Sequence, residues 1–98
     1  MTDLTGKVAI VVGAAGRDNM GQHIARTLAG AGARLVVAGR RMEPLQALAA
    51  EIGGRAALCD LSDKAQVDAL FDDTLASEGR VDIAVNATGW GLMRALDA

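Results

Sequence analysis

The sequence holds no tyrosine, one phenylalanine, one tryptophan, one cysteine and one proline in 98 residues. Each shortage removes a class of explanation. A lone cysteine, Cys59, cannot form an internal disulfide, which suits a reducing compartment. Without tyrosine, no phenol can donate a proton or a hydrogen bond anywhere in the chain. No apolar run nears a bilayer-spanning length of about 20 residues, and the opening MTDLTGK has no apolar segment of the signal-peptide kind. A surplus of one charge sign is also missing. Ten Lys and Arg stand against twelve Asp and Glu, a net charge of −2, which argues against nucleic acid or an anionic membrane as partner. The chain reads as a cytoplasmic globular protein of at most one domain, with 51% hydrophobic residues to form a core. It has no internal repeat, low-complexity tract or linker.

What is present alternates from end to end. KVAIVV (7–12) is short and β-branched, the pattern of a strand buried on both faces. Ile24 and Leu28 then recur at helical spacing from Met20 until the glycines of 29–32. RLVVA (34–38) predicts a second buried strand. Met42, Leu45, Leu48 and Ile52 mark one face of a helix, with Pro44 in its first turn and Gly53-Gly54 as its stop. RAALC (55–59) is a weaker third strand. Ser62 and Asp63 suit a helix start, and Val67, Leu70, Phe71 and Leu75 form the next stripe up to Gly79. VDIAVNA (81–87) is a fourth strand, and LMRALDA has the look of a helix beginning. Such β-α-β-α-β-α-β alternation predicts an α/β fold, a doubly wound parallel sheet of order 3-2-1-4; another α/β sandwich order is the alternative. A strand as apolar as 81–87 is normally central in a parallel sheet. With the uncapped stripe of Leu92, Met93 and Leu96, it leads us to expect a half-domain cut before its remaining segment, or completed by another chain.

In this architecture the chemistry gathers where strands end. VVGAAGRDNMGQHIA (11–25) joins a buried strand to an amphipathic helix, whose N-terminus offers unpaired N–H groups and partial positive charge to a pyrophosphate. Gly13, Ala14, Ala15, Gly16 and Gly21 permit close approach, Arg17 adds a cation, and Asn19 and Met20 lead into the helix. An ordinary turn capped by Asp18 or Asn19 is the plainer reading. At the second strand's end, Gly39 leaves room while Arg40 and Arg41 supply guanidinium forks matched to phosphate. A free ribose 2′-hydroxyl usually meets a carboxylate at this tip, so the pair favours NADP(H) over NAD(H), the alternative being a solvated surface. At the third tip, Asp60 suits the adenine amino group, with Leu61 on the ring; turn and cap bonds alone would also explain Asp60 and Ser62. At the fourth, Asn86 can tie strands together while Ala87, Thr88 and Gly89 leave space for the cofactor, although a lone Asn there is more often a turn former. Cys59 reads as buried core and His23 as an exposed helix residue without a role.

Taken in order, LTGKVAIVVGAAG, LVVAGRR, CDLSD and VDIAVNATG resemble the short-chain dehydrogenase/reductase family over nearly the whole chain. The resemblance implies nicotinamide-dependent oxidoreduction of a carbonyl, an alcohol or an activated double bond. It implies that Gly13 and Gly21 line the pyrophosphate, Arg40 faces a 2′-phosphate, Asp60 meets adenine and Asn86 braces the sheet. There are departures. Val12 replaces a threonine, NATG replaces Asn-Asn-Ala-Gly, and Arg17 and Asn19 stand where the usual Gly-x-x-x-Gly-x-Gly would put glycines. The loop instead has the length of the divergent enoyl-reductase-like branch, Gly-x5-Ser-x-Ala, with Asn19 at the serine and Gly21 at the alanine position. The family's general acid is the tyrosine of Tyr-x-x-x-Lys, helped by a serine. With no tyrosine, and only Lys7 and Lys64 as lysines, no catalytic residue is assigned, and no metal site.

The expected partners are a nicotinamide dinucleotide and a small-molecule substrate, with a homo-oligomer for the intact protein. The alternatives are a non-catalytic nucleotide-binding or interaction module, and another enzyme on this architecture such as a methyltransferase. The latter is weakened by Gly39 where an acidic residue commonly holds the ribose.

Overall fold

In a computed structural model of the chain, residues 3–13, 20–60 and 62–86 are described. Four strands and three helices alternate: β1 Val8–Val12, α1 Met20–Gly30, β2 Arg34–Gly39, α2 Met42–Ile52, β3 Arg55–Leu58, α3 Lys64–Glu78 and β4 Ile83–Asn86. The strands form one parallel sheet of order β3-β2-β1-β4, as the alternation predicts.

The period-two geometry of a strand divides the core between the sheet's faces. Ala9 and Val11 of β1 join Leu35 and Val37 of β2 under α1 and α2, which contribute Ala25, Leu45, Leu48 and Ala49. On the other face Ile10, Val12, Val36, Ala38 and Cys59 meet Leu70 of α3. All five β1 residues are buried, which is why this run is apolar without alternation. Each fully buried side chain such as Ile10 or Leu45 contributes about 1.5–3 kcal/mol.

The helix stripes fit well in α2 and less well in α3. In α2, Leu45 and Leu48 are buried, and Gly53 ends the helix in the left-handed region. Gly54 then passes so close to β2 that a Cβ there would lie 2.7 Å from the Leu35 carbonyl oxygen. In α3, Leu75 is 49% exposed, and Thr74 takes the core position expected of it. Thr74 falls in the i, i+3, i+4, i+7 set begun by Val67, and its hydroxyl is satisfied by donating to the Leu70 carbonyl at 2.8 Å. The fourth strand is also shorter than expected: it begins at Ile83, and its residues are half-buried. No strand among the described residues lies on its far side.

Asp82 replaces the first rungs of that strand with side-chain chemistry. Its backbone N–H donates to the Val8 carbonyl at 2.8 Å, and its Oδ2 accepts from the Val8 N–H at 2.9 Å. Arg80 grips the same carboxylate with two bonds of 2.8 Å. A second cluster joins β2, β3 and α3. Glu78, whose side chain is only 8% exposed, lies between Arg34 at 2.8 Å and Arg55 at 3.3 Å, and Arg55 also donates to Ser77 Oγ. Both clusters lie at the amino ends of the strands.

Arg80, then the Val8 N–H, hold the Asp82 carboxyl below its ordinary value of 3.8, against a small opposing effect of burial. The folded state therefore binds this proton less readily than the unfolded chain. The resulting stability is present above about pH 4 and is lost as pH falls through the depressed folded value. Asp82→Asn should flatten the fall in urea midpoint between about pH 5 and pH 3 relative to wild type; an unchanged slope would remove Asp82 from this role. Glu78→Gln should cost about 1 kcal/mol in low salt and less in 1 M salt, because both arginines remain solvated. Denaturant titration at two salt concentrations checks this.

Candidate functional site

The register collects the strand tips along one edge. Val12 lies opposite both Ala38 and Asn86, and Gly39 lies opposite Leu58. The residues that follow, Gly13, Arg40, Cys59 and Asp60, thus emerge together at the carboxyl edge. Two backbone bonds extend the sheet to this limit: Gly13 N–H donates to the Ala38 carbonyl at 2.8 Å, and Cys59 N–H to the Gly39 carbonyl at 2.7 Å.

Gly13 has φ +89°, where an L side chain is strained. The chain therefore makes its last sheet bond and leaves the sheet in the same residue. α1 opens at Met20, and Gly21 is buried, so the helix begins with a small residue packed inward. Arg17 and Asn19 lie outside the described residues, as do Ala14, Ala15, Gly16, Leu61, Ala87, Thr88 and Trp90.

At the second tip, Gly39 is buried while Arg40 and Arg41 are exposed. Arg41 is the N-cap of α2, in extended conformation and without a side-chain cap bond. Among the described residues neither arginine has an ion-pair partner within 4 Å, unlike Arg26, Arg34, Arg55 and Arg80. Two guanidinium groups thus stand side by side on the tip of a buried strand, with no ion pair within 4 Å among the described residues.

The third tip is hydrogen-bonded in detail. Asp60 Oδ1 accepts from Ser62 Oγ at 2.7 Å and from Ser62 N–H at 3.0 Å. Those two bonds hold its carboxyl below the ordinary value; burial opposes them slightly, and the charge of Arg40 adds to the lowering. Asp60 therefore stays ionised, an acceptor only, in electrostatic contact with the second tip. Asp63 caps α3 by accepting from Ala65 N–H at 3.0 Å and Gln66 N–H at 3.4 Å. The turn bonds expected of Asp60 and Ser62 are thus present and occupy one oxygen of Asp60, while the helix cap is Asp63. Gln66 escaped the sequence reading. Its side chain accepts from Asp60 N–H at 2.9 Å, and the signal was the Asp63-x-x-Gln66 spacing of a capping box.

Cys59 is buried, and burial followed by the charges of Asp60 and Asp63 pushes its thiol pKa up, so it remains a thiol within the core. Asn86 ends β4 opposite Val12 and is half-buried. His23 is exposed. Lys64 pairs with Asp68 at 2.8 Å, and Lys7 precedes β1 at the opposite edge. No cluster of metal-ligating residues occurs among the described residues, and none of the described helices is long and apolar enough to cross a membrane.

Three features meet at this edge: a glycine of positive φ at the end of β1, two guanidinium groups without an ion pair among the described residues at the second tip, and an ionised acceptor at the third.

Comparison with known proteins gives the same frame. The family described as enoyl-(acyl carrier protein) reductase matches residues 13–97. D-threitol dehydrogenase of Mycolicibacterium smegmatis is 43% identical over 91 residues, covering 88% of this chain and 34% of the relative. A metagenomic short-chain oxidoreductase solved in complex with NADP is 41% identical, with a TM-score of 0.72 over 83% of this chain and 38% of that one. A structure described as ribose-5-phosphate isomerase from Brucella melitensis 16M is 31% identical, with a TM-score of 0.81 over 89% of this chain and 33% of that one. The chain spans about a third of the length of these relatives. Motif order, sheet order and sequence identity agree: the chain belongs to the short-chain dehydrogenase/reductase family, whose members are nicotinamide-dependent oxidoreductases.

Proposed function

We propose that residues 1–98 form the cofactor-binding part of an oxidoreductase that uses NADP(H) in preference to NAD(H). The observation carrying this reading is the pair Arg40 and Arg41, exposed beside the buried Gly39 and without an ion-pair partner within 4 Å among the described residues. A tip that reads a free 2′-hydroxyl carries a carboxylate, whereas a tip that reads a 2′-phosphate needs space and positive charge. The NADP complex of the metagenomic relative supports the same choice.

Residue by residue, Gly13, Gly21 and the loop of Arg17, Asn19 and Met20 take the pyrophosphate. Arg40 and Arg41 take the 2′-phosphate, with Gly39 giving it room. Asp60 and Leu61 take the adenine. Asn86, Ala87 and Thr88 border the nicotinamide. The bound nicotinamide supplies hydride chemistry, and this chain binds and orients it. The family's proton donor is a tyrosine and this sequence has none, so no residue here is given that role. The same absence favours one other reading, a nucleotide-binding module without turnover. Steady-state assay of the full-length protein with NADPH and small carbonyl substrates separates the two.

Losing a charge-assisted bond to the 2′-phosphate costs about 1.5–3 kcal/mol, a factor of about ten or more in affinity. Arg40→Ala in the full-length protein should therefore weaken NADPH at least tenfold (about 1.4 kcal/mol) while leaving NADH within about twofold. Fluorescence titration with both cofactors checks this, and equal weakening of the two would remove Arg40 from the role.

A further inference from the structure

Gln66 lies in the first turn of α3, and its side chain reaches back to the tip of β3. In a capping box the side chain at this spacing returns to the N–H of the cap residue itself. Here it passes over Asp63 and takes the N–H three residues earlier. Oε1 accepts from Asp60 N–H at 2.9 Å, while Nε2 donates to Asp63 Oδ2 at 3.2 Å. The cap does not depend on this detour, because Asp63 Oδ1 already accepts from the Ala65 and Gln66 N–H groups.

The detour fixes Asp60. Its N–H is held by Gln66, and its carbonyl accepts from Asp63 N–H at 3.0 Å. Cys59, immediately before it, is tied to Gly39 at 2.7 Å. Both Ser62 donors land on Oδ1, and no donor among the described residues lies on Oδ2. One carboxylate oxygen is thus spent on the turn and the other is presented as an acceptor, on a backbone whose rotation Gln66 blocks.

We infer that Gln66 is a positioning residue for adenine recognition. By anchoring Asp60 N–H it keeps Oδ2 available to the exocyclic 6-amino group of the dinucleotide. The inference rests on the placement of Asp60 at the adenine in the reading above. It assigns part of the discrimination between amino- and oxo-purines to a side chain that does not touch the ligand. Without Gln66, Asp60 N–H loses its partner, and the peptide can turn to find water, carrying the carboxylate with it.

The test compares NADPH with its hypoxanthine analogue, in which oxygen replaces the 6-amino group, by titration of the full-length protein. Wild type should prefer NADPH by about tenfold, the worth of one hydrogen bond to a charged group. Gln66→Leu, of similar size but without either bond, should narrow that preference to about twofold while binding the analogue as wild type does. Gln66→Glu keeps the acceptor for Asp60 N–H and should retain most of the preference. A purely structural role would weaken both dinucleotides equally, and that result, or an undiminished preference in Gln66→Leu, would overturn the inference alone. Wild type binding both dinucleotides equally would instead remove Asp60 from the adenine, and binding neither would overturn the proposed cofactor.

Discussion

The constraint on which the molecule depends is the complete burial of β1. Val8 to Val12 are covered on both faces of the sheet, so water cannot satisfy their amides and carbonyls. Leaving such groups unpaired costs on the order of a hydrogen bond each, and the strand must therefore be flanked on both sides. β2 and β4 supply those flanks in parallel register. Parallel pairing in turn demands a crossover before each strand, which places α1, α2 and α3 and forces all four strands to end at the same edge. The site is a consequence of satisfying one buried strand.

The two edges of the sheet are then used differently. At the amino edge, charges are consumed: Asp82 takes Arg80 and the Val8 N–H, and Glu78 lies between Arg34 and Arg55. Chains begin there and need fastening. At the carboxyl edge Asp60, Ser62, Asp63 and Gln66 are interlocked, while Arg40 and Arg41 have no ion-pair partner within 4 Å among the described residues. Among the described residues the charge that offsets this pair is the ionised Asp60, held below its ordinary pKa by the Ser62 bonds first and by the charge of Arg40 in addition.

Much of this was legible in the residues. The buried strands stood out because β-branched runs such as 8–12 have no helical period, and α2 because Leu45 and Leu48 recur as one stripe. The order 3-2-1-4 follows from alternation with short connections. Where the reading failed, a local pattern met a tertiary fact. Leu75 fits a helical stripe as well as Thr74 does, but packing on the sheet buries Thr74 and leaves Leu75 half exposed. VDIAVNA looked like a strand from its first residue, but Asp82 spends its side chain on β1, and regular pairing begins at Ile83. The Asp63-x-x-Gln66 spacing marks Gln66 as a capping-box residue, but that its partner is the Asp60 N–H and not the cap's own leaves no mark in sequence.

A hydride transfer needs a correctly chosen cofactor, a fixed nicotinamide and a proton source. In the proposed reading Arg40, Arg41 and the anchored Asp60 bear on the first, and the positive-φ turn at Gly13 bears on how closely a pyrophosphate approaches the backbone. Relatives described by such different activities as threitol dehydrogenation and ribose-5-phosphate isomerisation share this part of the fold at 43% and 31% identity. A frame shared by proteins so described does not by itself set their substrates.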